Sequence, residues 1–203
     1  MQIILDGIGK KFGRQWVFRR LDLKISAGGR LAILGANGSG KSTLLKIISG
    51  WLNPSEGSIT YSLENQILSE PSQLYSYISI ASPYLELIEE FTLAELVHFH
   101  FQFKKPFHNM TENEIIGVSG LEDAKNKLIR HFSSGMKQRA RLTLALLSDT
   151  PLVLLDEPCS NLDASATEWF HKLISTCCHQ RTLVVCSNHQ PSEYDFCTEI
   201  LQL

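Results

Sequence analysis

The stretch "GANGSGKST" at residues 35–43 constrains this chain more than any other. It follows the apolar run "RLAILG" and precedes "STLLKIIS", so the pattern predicts a buried strand, a glycine-rich turn and a helix. Gly35, Gly38 and Gly40 let the backbone curl so that its N–H groups converge, with Ala36, Asn37 and Ser39 completing the turn. The helix that follows aims its positive end at the same point. Lys41 adds a full charge suited to β- and γ-phosphates, Ser42 offers a hydroxyl to Mg²⁺, and Thr43 can bond a phosphate oxygen. A plain strand–helix turn would explain two of the glycines but not a lysine at that spot.

Strand-like and helix-like patterns alternate along the rest of the chain. Residues 2–8 and 17–25 read as strands with a turn around Gly13, and Gly50 is placed to stop the helix predicted over 42–49. "SITYS" and "YISIA" read as short strands at 58–62 and 77–81, while residues 62–76 are weakly patterned. From about Pro83 to Asp149 helical patterns dominate, over 92–103, 111–120 and the long segment 134–148. Thr111 with Glu114 makes a capping-box pattern. "PLVLLDEP" (151–158) and "RTLVVCSNH" (181–189) read as buried strands on either side of a helix over 164–179. "EILQL" (199–203) is a last strand-like piece, and no added regulatory domain is expected after it. The alternation predicts an α/β fold with a mostly parallel sheet, an antiparallel β portion at the N-terminus and an inserted α-helical subdomain. The expected organisation is one domain over 1–203, with 1–82 and 149–203 as its core and 83–148 as the helical subdomain.

"LVLLDEP" supplies the complement of the glycine-rich loop. Asp156, at the end of an apolar strand, is placed to hold Mg²⁺ directly or through water, and Glu157 follows at once. A carboxylate there can polarise a water that attacks the γ-phosphate, as a general base. The formal net charge of −2 gives the molecule no electrostatic footprint for nucleic acid. Lys10, Lys11, Arg14, Arg19, Arg20 and Lys24 make the N-terminal region basic, which reads as a solvated sheet face. The 5 cysteines are odd in number and lack zinc or redox spacing, as expected of reduced cytosolic thiols. Met1 opens directly into the strand-like "QIILDGI", which reads as the absence of a signal peptide. The longest apolar runs fall far short of the roughly 18 residues that suggest a membrane span. Any membrane role is therefore expected to pass through a partner.

Three further segments narrow the class: "HFSSGMKQR" (131–139), "PCSNLD" (158–163) and "SNHQ" (187–190). Together with the loop and "LVLLDEP", in that order, they make the chain resemble the ATP-binding subunit of an ABC transporter over essentially its whole length. The resemblance implies a P-loop NTPase core that binds ATP and Mg²⁺, and a cycle in which two copies sandwich two ATP molecules head to tail. Lys41, Glu157 and His189 would be its catalytic residues. Residues 132–136 resemble the signature motif, usually written LSGGQ, with Ser134 in place of the first glycine and Met136 in place of the glutamine. Ser133, Ser134 and Gly135 would then face the γ-phosphate held by the other copy. A helix N-terminus with a hydroxyl suits that task, so the cap and the clamp are the same groups. Asp163 resembles the aspartate that crosses the dimer interface, and His189 the switch histidine that orders the attacking water. Phe12 lies where the family places an aromatic that stacks on adenine, with Trp16 as its competitor.

One departure stands out. The family usually has a glutamine after the strand that follows the first helix, reaching Mg²⁺ and the attacking water. Residues 77–93 contain none, Gln73 and Gln102 lie outside, and Ser82 or Pro83 occupies the place. Proline cannot stand in for it, and Ser82 is expected to reach Mg²⁺ only through water. The departure bears on turnover and coupling, not on ATP binding. The acidic loop of Glu86, Glu89 and Glu90 beside it is expected to receive a basic coupling helix from a separate transmembrane permease. "HFHFQFKKPFH" (98–108) is expected to line mostly the core of the helical insert, and His98 and His100, two apart on a helix, make a poor metal pair. The expected protein is an ATP-hydrolysing subunit, peripheral on the cytoplasmic face of the membrane, that forms an ATP-dependent dimer with a second copy of itself. Its short format resembles small ABC ATPase subunits, including the cytochrome c maturation type. The alternatives are a soluble assembly ATPase, as in iron–sulfur scaffolds, and an ATP-gated dimer clamp with low turnover. Tandem-domain translation factors and coiled-coil DNA-repair ATPases fit poorly.

Overall fold

The computed structural model describes residues 1–64, 66–68 and 73–203. Strands β1 (Gln2–Phe12) and β2 (Gln15–Ile25) pair antiparallel from Ile3↔Ile25 to Phe12↔Gln15. Both run longer than the sequence pattern implies, because Gly13 at φ 58° reverses the chain with only Arg14 beside it. Strand β3 (Arg30–Leu34) enters the glycine-rich loop and helix α1 (Lys41–Ile48) leaves it. Strand β4 (Glu56–Leu63) returns to pair with β1, and the two-residue β5 (Gln66–Ile67) pairs with β4. Helix α2 (Leu74–Tyr77) runs directly into β6 (Ile78–Ala81). Of the weakly patterned stretch 62–76, residues 65 and 69–72 lie outside the described residues.

Between β6 and β7 (Leu152–Asp156) the chain passes through α3 (Leu93–Phe101), α4 (Glu112–Ser119) and α5 (Ser134–Leu146). Helices α3 and α4 both start on full capping boxes, Thr92 with Glu95 and Thr111 with Glu114, which satisfy two orphan donors reciprocally. Helix α6 (Ala164–Cys177), β8 (Thr182–Ser187) and β9 (Glu199–Gln202) complete the order. The antiparallel sheet runs β2-β1-β4-β5 and the other β6-β7-β8-β3-β9, parallel at every pairing.

A fully parallel sheet is covered on both faces, so its central strands β7 and β8 are buried at every position. Alternation along β7 divides them between two cores. Leu152 and Leu154 join β1, α1 and β4 on one face, while Val153 and Leu155 join the helices α3 to α6 on the other. All carboxyl ends of the parallel strands lie along one edge, where ligands of open α/β sheets bind. Gly35 after β3, Ser82 after β6, Asp156 at the end of β7 and Asn188 after β8 therefore meet there.

The helices are anchored by polar groups that the pattern did not reveal. Arg181 is buried at the start of β8 and donates to Leu146 O (2.7 Å), Thr150 O (2.6 Å), Thr150 Oγ1 (2.9 Å) and Ser79 Oγ (3.2 Å). A cation at the C-terminus of α5 complements its dipole. Ser148 Oγ donates to Leu144 O (2.6 Å) and receives a hydrogen bond from His100 Nε2 (2.9 Å), so His100 is the neutral Nε2–H tautomer. Burial, reinforced by the charge of Lys104, pushes the His100 pKa down to about 4. The aromatic segment 98–108 is only partly core. Phe101 and Phe107 pack inward, whereas Phe99 and Phe103 are exposed and stack edge-to-face with each other. An i, i+4 pair on one helix face cannot point the same way as Phe101 between them. His98 is bonded to Glu112 and Gln102. Among the described residues, no helix is long and apolar enough to cross a membrane.

Candidate active site

Where β3 gives way to α1 the chain forms a cradle of about 230 Å³. Asn37, Gly38, Gly40, Lys41, Ser42 and Thr43 line its floor, and Val17, Tyr84 and Glu157 close its sides. Gly40, at φ 106°, is the N-cap of α1 and makes no side-chain cap, so the first amides of the helix keep their donors free for a ligand. No other residue fits there: a Cβ would lie 2.6 Å from Val17 Cγ1. Lys41 is buried and folds over the loop, donating from Nζ to Gly35 O (2.8 Å) and Ala36 O (3.1 Å). The loop closes on itself through Ser39 N–H to Ala36 O at 3.1 Å, and the Ser39 hydroxyl is buried without a partner among the described residues.

Asp156 sits behind this floor. Its Oδ2 accepts from Ser82 Oγ at 3.2 Å, while Oδ1 is buried with no partner among the described residues. Burial pushes the Asp156 carboxyl above the usual range, opposed by the neighbouring Ser42 and Ser82 hydroxyls and by the charge of Lys41. An orphan carboxylate oxygen beside a hydroxyl and a phosphate cradle is what a hard divalent ion needs, since Mg²⁺ takes one or two protein oxygens and completes its shell with phosphate and water. Ser42 and Asp156 fit that donor set, and both line a small cavity of about 30 Å³. Glu157 follows with left-handed φ of 45°, held by its N–H to Cys186 O at 2.9 Å. Strain of this kind in a non-glycine residue concentrates at functional sites, and His189 (φ 55°) and Asn161 (φ 63°) share it.

The remaining expected residues are elsewhere. His189 is exposed beside Gln202, whose Nε2 is 3.4 Å from His189 Nε2, and it does not line the cradle. Phe12 is 56% exposed, with Lys10 Nζ 5.3 Å from its ring, while Trp16 is held between Lys11 at 5.3 Å and Arg19 at 4.5 Å. Ser133 caps α5, accepting from Met136 N–H at 3.2 Å, and Ser133 and Ser134 are exposed. Gly135 lies so close to the next loop that a Cβ would come 2.9 Å from Asn161 O. Asp163 caps α6, accepting from Ala166 N–H at 2.8 Å and Ser165 Oγ at 2.8 Å, which holds its carboxyl below the usual range. None of these signature or interface residues lines the chain's own cradle.

Sequence reasoning missed Tyr84, Val17 and Glu193. The buried Glu193 carboxylate accepts from Cys159 N–H (3.1 Å) and Ser187 Oγ (2.5 Å), tying the loop after Glu157 to the end of β8 before His189. Burial pushes its pKa up. A carboxylate two residues after a Gln-Pro pair carries no signal that it turns inward.

Loop, carboxylates and strand order define an ATPase of the P-loop class. The chain belongs to the ABC transporter family, whose pattern matches residues 18–160. It is 28% identical to the cytochrome c biogenesis ATP-binding export protein CcmA of Agrobacterium fabrum, over 94% of this chain and 90% of that one. It is 34% identical to the thiamine import ATP-binding protein ThiQ of Photorhabdus laumondii, over 82% of this chain and 71% of that one. Among solved structures it superimposes, with a TM-score of 0.84, on a dimeric post-hydrolysis state of the ATP-binding cassette MJ0796 bound to ADP and Pi. That match is 25% identical and covers 99% of this chain and 94% of the other. ATP binding and hydrolysis are the activity of this protein.

Proposed function

We propose that two copies of this chain close head to tail around two ATP molecules and that the cycle drives a separate transmembrane permease. One observation carries the dimer. None of Ser133, Ser134 and Gly135 lines the cradle of their own chain, while the signature helix start is exposed. A second copy supplies what each site lacks. Lys41 and the amides of residues 37–43 hold the phosphates, Thr43 bonds a phosphate oxygen, and Phe12 stacks on adenine. Glu157 takes the proton of the attacking water, and His189 reaches the γ-phosphate once the copies close. Ser42 and Asp156 would hold Mg²⁺, which would supply neutralisation of the charge that develops on the phosphates. Across the interface Ser133, Ser134 and Gly135 meet the γ-phosphate of the partner's ATP, and Asp163 approaches the opposite loop.

Residues 83–148 act as the helical subdomain that joins this site to the permease. A groove of about 530 Å³ lined by Glu86, Glu89, Glu90, Lys137 and Arg141 supports that reading. Lys137 already pairs with Glu89 at 2.6 Å, so Glu86 and Glu90 are the carboxylates left for a basic partner segment. The relatives' names divide between export and import and favour neither. The chain would sit peripherally on the cytoplasmic face, through its partner. Steady-state ATPase assays and size-exclusion chromatography on wild type and Glu157→Gln test the cycle. Turnover by wild type and an ATP-trapped dimer of the variant are expected; a variant that stays monomeric with saturating ATP refutes the two-copy site. Reversing Glu86 and Glu90 to lysine should lower recovery of the chain with membranes, and unchanged recovery refutes the groove as the docking face.

The absence of a glutamine near Ser82 favours a second reading, an ATP-gated clamp with little turnover. It predicts an ATP-bound dimer of the wild-type chain that persists without hydrolysis even when membranes are added.

A further inference from the structure

The two oxygens of Asp156 are in different situations. Oδ2 accepts a hydrogen bond from the Ser82 hydroxyl at 3.2 Å, and Oδ1 is buried with no partner among the described residues. Ser82 is itself buried, and its hydroxyl oxygen accepts from Tyr84 N–H at 3.4 Å. Its carbonyl accepts from Leu85 N–H at 3.0 Å, which closes the turn after β6. A hydroxyl has one proton to give, and here Asp156 takes it. A carboxylate otherwise turns freely about its Cβ–Cγ bond, so pinning one oxygen sets the direction of the other. The cavity of about 30 Å³ beside them is lined by Ser42, Ser82 and Asp156 together with apolar side chains that include Leu45, Ile80 and Leu85. That is room for about one water-sized guest, with the Ser42, Ser82 and Asp156 oxygens as the polar part of a largely apolar lining.

We propose that Ser82 is a positioning residue for the divalent ion: it pins Asp156 Oδ2 so that Oδ1, with the Ser42 hydroxyl, is presented to the cation that accompanies ATP. Through the Tyr84 N–H it also links that setting to the turn at 82–85. This rests on the ATPase site described above and assigns its short-range support to a residue that never needs to touch the metal. A hydroxyl that merely satisfied a buried carboxylate would matter equally with and without metal.

The test uses Mn²⁺ as the probe, followed by electron paramagnetic resonance on the full chain with ATP, in the Glu157→Gln background so that the nucleotide persists. Ser82→Ala is expected to weaken Mn²⁺ binding about tenfold, the worth of one hydrogen bond to a charged group, with ATP affinity in EDTA unchanged. Ser82→Thr, which keeps the hydroxyl, is expected to bind Mn²⁺ within about twofold of the parent. Ser82→Cys, of similar size with a weak donor, carries the same expectation as alanine should that variant not fold. Mn²⁺ affinity unchanged in Ser82→Ala while Asp156→Asn loses it overturns the proposal alone. Equal losses in Ser82→Ala with and without metal also overturn it. Mn²⁺ affinity unchanged in Asp156→Asn overturns both the proposal and the metal site on which it rests.

Discussion

Helices α1 and α5 both begin at glycine-containing turns with hydroxyls in reach, and the chain treats the two starts in opposite ways. The start of α1 has no side-chain cap, and its lysine is buried against the loop carbonyls, walled in by Val17, Tyr84 and Glu157. The start of α5 is capped by Ser133 and open to solvent. A glycine at the N-cap costs only a few tenths of a kcal/mol against a side-chain cap and leaves the first amides open to an anion. A capped, exposed start is stable without a ligand and available to one that arrives on another molecule. The far end of α5 is the opposite again, bolted by Arg181 and by Ser148 with His100. A firmly held C-terminus lets the open N-terminus be presented rigidly.

The comparison breaks most severely at the cradle. Glu157→Gln should lower turnover by about 10² to 10³-fold while ATP affinity is retained, measured by phosphate release and by calorimetry. An equal fall in affinity would mean that Glu157 holds the loop and does not act on water. Arg181→Ala should cost about 3 kcal/mol in urea unfolding, because several buried acceptors lose their donor at once. If the loss is under about 1 kcal/mol, the bolt at the end of α5 is not structural.

The third prediction concerns pH at the same bolt. The folded pKa of His100, about 4, lies below its ordinary 6.5. The unfolded chain therefore binds the proton more readily, so this contribution to stability is complete above about pH 6.5 and is lost as pH falls toward 4. Between pH 6.5 and 5 the loss should be about 2 kcal/mol, and His100→Gln should flatten that part of the profile. A wild-type and variant profile that run parallel would remove His100 from the account. The smallest effect sharpens the comparison. Ser133→Ala should cost about 1 kcal/mol of stability and leave ATP binding by the separated chain unchanged, yet reduce ATP-dependent dimerisation. A variant that dimerises normally would make the serine a cap and nothing more.

Much of this arrangement was legible from local spacing. The glycine-rich loop, Asp156 and Glu157 at the end of β7, and the caps at Thr111 and Ser133 depend on neighbours within a few residues, and each appears where the pattern put it. Tyr84 and Glu193 were not legible, because their relevance depends on which strand lies beside which. Nor was the exposure of Phe99 and Phe103, since burial of an aromatic face depends on what packs against it.

The sequence by itself determined the chemistry: which loop can cradle phosphate, which strand ends in carboxylates, and which segments are helical. Those follow from periodicity, capping and backbone freedom, all short-range. Tertiary structure decided how distant pieces share atoms. The order β6-β7-β8-β3-β9 brings Ser82 to Asp156 across 74 positions of chain, and Arg181 to Leu146 across 35. Strand order is set by packing two cores against the two faces of one sheet, a global constraint that no local window contains.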